Sequence, residues 1–68
     1  MKLQEVANKA FKGKDIKLQT IGFLTFKEDG TPNTIIPDYA DEILETHGQK
    51  EVKSYRYVDT HHCLVVEL

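Results

Sequence analysis

His61, His62 and Cys63 stand side by side near the end of the chain, and by type they are the residues best equipped for chemistry. On an extended strand His61 and Cys63 point one way and His62 the other. Two ligands so placed suit a zinc ion, with His47 or Asp59 to complete the set. Zinc sites are usually built from paired ligand clusters at set spacings, and the sequence has no second cluster. Cys63 beside a histidine is also the pair needed for nucleophilic catalysis. Its neighbours Leu64, Val65 and Val66 make an apolar strand, however, a setting that keeps a thiol neutral and inert. His61 and Cys63 therefore stand as metal candidates beside a plainer reading, a small core cysteine flanked by turn histidines.

Tyr55, Arg56 and Tyr57 offer a different chemistry. On a strand the two tyrosines share a face and Arg56 points away. An aromatic pair on a sheet can stack single-stranded bases, and Lys53 and Arg56 could hold the phosphates. Tyrosine with arginine is equally the composition of protein interface hot spots, and this reading is preferred. The carboxylates Asp38, Asp41, Glu42 and Glu45 fit a helix start and a solvent face rather than a catalytic pair. Glu28-Asp29-Gly30 lacks the alternating oxygen ligands and distal glutamate of a calcium loop. No glycine-rich phosphate loop or serine-centred elbow occurs. These features predict a protein that is not an enzyme and needs no cofactor.

The formal net charge of −2 gives no general attraction to nucleic acid. Charge is nevertheless segregated. Lys2, Lys9, Lys12, Lys14 and Lys17 make the first quarter basic, and Asp38, Asp41, Glu42, Glu45 and Glu51 make the centre acidic. Solvated faces explain this, and so does head-to-tail complementarity with a partner or second copy. A chain of 68 residues with 40% hydrophobic content has room for a single domain, 1–68, around one core. Cys63 is its sole cysteine, so an internal disulfide is excluded, which fits a reducing cytoplasm. No apolar block follows Met1 and no apolar run reaches membrane length, so neither a leader nor a membrane span is expected.

The elements that must position these residues are legible. Pro37 suits the first turn of a helix, Asp38, Asp41 and Glu42 suit the positive end of its dipole, and Gly48 suits a left-handed stop. Tyr39, Ala40, Ile43, Leu44 and His47 make its apolar face, so a helix is predicted over 37–47. Leu3, Val6, Ala7, Ala10 and Phe11 predict an N-terminal helix ending near Gly13, with a strand over 6–12 as the competing reading. Residues 15–27 alternate as a strand, with Ile16, Leu18, Thr20, Gly22, Leu24 and Phe26 on one side. The break at Ile21-Gly22-Phe23-Leu24 predicts a bulge or a close backbone approach. A turn at Asp29-Gly30 and a brief return strand over 34–36 follow. Residues 50–58 and 61–68 predict an antiparallel hairpin turning at Asp59-Thr60. The run Cys63 to Val66 suits a strand covered on both faces, hence a central strand or a subunit interface. The expected fold class is α+β, with the short N-terminal helix, a strand or hairpin, the central helix and the C-terminal hairpin packed in one small sheet.

Phe11-Lys12-Gly13-Lys14, with Ile36-Pro37-Asp38-Tyr39-Ala40 and Leu44 to Gly48, resembles small modules of tailed-bacteriophage and prophage proteins. Those modules place a valine/isoleucine-Pro-acidic step before a short helix ending in Gly, after a compact strand pair. The resemblance covers residues 11–48 and leaves out the final hairpin. It implies an accessory or virion-assembly protein, in host cytoplasm or virion, that binds other proteins. Another protein and further copies of itself are the expected partners, with nucleic acid a less favoured alternative.

Overall fold

The apolar run near the C-terminus becomes an inner strand. A computed structural model describes all residues 1–68. The chain forms helix α1 (Leu3–Ala10), strands β1 (Thr20–Phe23) and β2 (Asp38–Tyr39), helix α2 (Ala40–His47) and strands β3 (Ser54–Val58) and β4 (Cys63–Glu67). The strands make one mixed sheet in the order β2-β1-β4-β3. β4 pairs antiparallel with β3 and parallel with β1, and β2 pairs antiparallel with β1. The α+β class and the C-terminal hairpin are thus as the sequence predicts. With a neighbour on each side, β4 is the strand whose composition should be most apolar.

Leu64 and Val66 of β4 and Ile21 of β1 point toward the helices and are buried. They meet Leu3, Val6 and Ala7 of α1, Phe11 just beyond it, and Ala40 of α2. Each large aliphatic side chain so placed contributes about 1.5–3 kcal/mol by leaving water. The start of α1 is held by the chain that leaves α2. Leu3 N donates to Lys50 O at 2.8 Å and Gln4 N to Gly48 O at 2.9 Å, which satisfies two donors that a helix N-terminus leaves free. Gly13 takes a left-handed φ of 78° after the helix, as the predicted stop requires.

Several boundaries differ from the sequence reading. The central helix begins at Ala40, not Pro37. Residues 38–39 pair with β1 instead, and Ala40 N donates to Gln19 O at 3.0 Å, so tertiary pairing takes the chain that local signals assign to the first turn. Tyr39 consequently leaves the apolar face and is 61% exposed, while Ala40 is buried and Ile43 and Leu44 are half-buried. Gly48 is not left-handed (φ −58°). A residue without Cβ suits it because any Cβ placed there would lie 2.5 Å from Leu44 O.

The predicted strand over 15–27 is shorter and faces the other way. Asp15 accepts a hydrogen bond from Lys17 N at 3.1 Å, and this local bond folds Ile16–Leu18 into a 3-10 turn. Leu18 is left exposed, and the core takes Gln19, Ile21 and Phe23, with Ile16 packed against it from the 3-10 turn, rather than the predicted Leu18 and Leu24. Gly22 is a close approach and not a bulge, since the register from Thr20–Cys63 to Phe23–Val66 is unbroken. No return strand forms over 34–36. The return is made earlier, where Lys27 N donates to Thr31 O and Asn33 N to Thr25 O, each at 2.8 Å. The C-terminal strands are shorter than predicted, and between them Asp59–His61 make a 3-10 turn that ends on left-handed His62.

Candidate interaction surface

The helices cover one face of the sheet. The alternation of side chains places Thr20 and Gly22 of β1 on the other face, with Leu24 following. Cys63, Val65 and Glu67 of β4 and Ser54, Arg56 and Val58 of β3 share it. Cover there comes from the segment that leads into β2. Ile35 Cγ2 occupies the space that a Cβ on Gly22 would need, and Cys63 Sγ and Pro37 Cα lie 3.7 Å from the same point. Gly22 is therefore the residue that lets Ile35 lie flat on the sheet. Cys63 is buried beneath that contact.

Clefts open on either side of Ile35, about 420 Å³ and 380 Å³ in volume, and Ile35, Val58 and Val65 line both. The first is closed by Thr20, Pro37, His61 and Cys63. The second is closed by Leu24, Ser54, Tyr55, Arg56 and Glu67. A third hollow of about 300 Å³ lies among Thr20, Pro37, Asp38 and Tyr39. Together they cross the open face from the β2 edge to the β3 edge. Near the β2 end Ile36 is 86% exposed. The accessible surface of 4875 Å² is roughly 500 Å² more than the ~4,400 Å² expected of a compact 7.8 kDa chain.

The predicted site residues fall into three places. His61 and Cys63 line the same cleft, although His61 sits in the 3-10 turn and not on the strand as predicted, and His62 does not line it. His47 packs against Phe23 with ring centroids 5.2 Å apart, and Asp59 faces Lys14 at 3.8 Å. No three His, Cys, Asp or Glu side chains gather in a group able to hold a metal ion. Tyr55 and Tyr57 lie on the helix side of the sheet in different settings. Tyr57 meets Phe11 edge-on at 6.1 Å, lies under the Lys14 ammonium, and donates its hydroxyl proton to Gln19 Oε1 at 2.6 Å. Tyr55 is the freer ring, 48% exposed. Arg56 and Lys53 are exposed at the β3 edge.

Among the carboxylates, Asp38 accepts from Tyr39 N and Asp41 from Glu42 N. Each bond runs to the next residue's amide, and the start of α2 has no side-chain cap. The basic and acidic stretches lie side by side, because Lys2 bridges to Glu51 and the terminal ammonium meets the Glu51 carboxylate at 3.2 Å. A groove of about 540 Å³ separates the helices. Its polar rim is already engaged: Gln4 donates to Asn8, Asp41 accepts from Glu42 N, and Lys14 faces Asp59. At the hairpin tip, hydrogen bonds from the Thr31 hydroxyl and then the Thr31 amide hold the Asp29 carboxyl below its ordinary pKa of 3.8. No helix is long and apolar enough to cross a membrane.

The chain matches no protein-family model, no curated protein and no solved structure. Sequence reasoning overlooked Gly22, Leu24, Ile35, Val58 and Val65 as surface-forming residues. The available signals were the broken alternation around Gly22 and the apolar pair Ile35-Ile36 just before Pro37.

Proposed function

We propose that this chain is a small non-enzymatic binding protein that works by protein–protein contact and associates with further copies of itself. The observation that supports this reading is the sheet face away from the helices, where half-buried Leu24, Ile35, Val58 and Val65 line adjoining clefts. A cleft lined mostly by apolar side chains with a few polar groups is a natural binding site. The resemblance of residues 11–48 to phage modules supports an accessory or virion-assembly role, in host cytoplasm or virion.

Light scattering on the intact chain over a wide concentration range tests the reading. The expected result is a mass that rises above 7.8 kDa with concentration. A constant monomer mass would count against self-association. The alternative, single-stranded nucleic acid at Tyr55, Arg56 and Lys53, is favoured by the exposure of those side chains at one edge. It is weakened by Tyr57, whose ring and hydroxyl are already engaged. Fluorescence anisotropy with labelled oligonucleotides separates the two, since saturable, salt-sensitive binding would favour nucleic acid.

A further inference from the structure

We infer that the occupant of the open face is a second copy of this chain, docked about a two-fold axis so that Arg56 of each copy pairs with Glu67 of the other. The inference rests on the binding reading above and adds the partner and its charged contact. A two-fold interface buries the same patch on both subunits, so the patch must complement itself. This one does. Leu24, Ile35, Val58 and Val65 supply apolar surface, and at one margin stand one cation and one anion, Arg56 and Glu67.

These two residues lie diagonally across the β3–β4 pair, Arg56 opposite Val65 and Glu67 opposite Ser54. They line the same cleft, yet they form no ion pair with each other. The ion pairs of the chain are Met1–Glu51 and Lys14–Asp59, so Arg56 is uncompensated. Glu67 takes only the Ser54 hydroxyl, at 3.0 Å, and retains acceptor capacity. The charged margin should decide the register of the dimer.

Sedimentation equilibrium from micromolar to millimolar concentration tests the docking with Arg56→Glu, Glu67→Arg and the double exchange. Lys9→Glu and Glu45→Arg make the same charge changes on the helix side. Circular dichroism establishes that each variant is folded. Because the symmetry uses each residue twice, either single exchange should weaken the dimer about tenfold or more. The double exchange should return within about threefold of the parent, and both controls should match it. A parent chain that stays monomeric at millimolar concentration overturns the self-association reading together with this inference. A parent dimer that tolerates the single exchanges, or is not restored by the double, overturns only the docking.

Discussion

Replacing Tyr57 by Phe removes a single oxygen atom and leaves the ring against Phe11. The energetic consequence falls on Gln19, which is 3% exposed and accepts the Tyr57 hydroxyl proton at 2.6 Å. Without that donor its side-chain oxygen is buried and unpaired, at a cost of about 1–3 kcal/mol. A domain of this size has roughly 3–5 kcal/mol of stability in all, so the loss takes a large share of it. At about 7 °C per kcal/mol for a chain this short, a 2 kcal/mol loss lowers Tm by about 14 °C. Thermal unfolding followed by circular dichroism measures it directly. The companion variant Tyr57→Phe with Gln19→Leu removes both partners and should recover most of the loss, because no polar atom is left stranded. A Tyr57→Phe protein that melts within about 2 °C of the parent would refute the claim that this bond ties β3 to the segment leading into β1.

Other consequences are equally direct. Leu64→Ala empties a fully buried position in the central strand, so a loss of about 2–5 kcal/mol and largely unfolded protein at 37 °C are expected by circular dichroism. Gly22→Ala puts a methyl group into the space of Ile35 Cγ2, which should cost about 1–3 kcal/mol in urea unfolding and be relieved by adding Ile35→Ala. Asp29 has a folded pKa below 3.8, so its hairpin bonds persist above the ordinary carboxylate pKa and are lost as pH falls through the lowered value. Carbon-13 NMR titration should show Asp29 as an early-deprotonating carboxyl, and Thr31→Ala should move it back toward 3.8.

What the sequence disclosed and what it hid follow one physical division. Where local preference and tertiary packing agree, as in the stripe of Leu3, Val6 and Ala7 or the apolar run of β4, the reading is sound. Where a distant strand competes, local signals mislead. Pro37 and Asp38 carry every mark of a helix start, yet β1 pairs with residues 38–39 and displaces the helix to Ala40. Leu18 alternates in step with a strand, yet the Asp15 side chain bonds the Lys17 amide and turns it outward. The open face was hidden for a further reason. Its residues come from β1, β3, β4 and the segment at Ile35, and only the parallel β1–β4 pairing brings them together. Gly22 hinted at that closeness without naming Ile35 as the neighbour.

The division of the sheet into one face filled by helices and one left open, proposed above as the docking face, can be read residue by residue. Amide nitrogen–proton NMR spectra of dilute and concentrated protein provide the test. On concentration, shifts should gather at Gly22, Leu24, Ile35, Arg56, Val58 and Val65, with the amides of α1 and α2 unmoved. Superimposable spectra, or shifts confined to the groove between the helices, would contradict it.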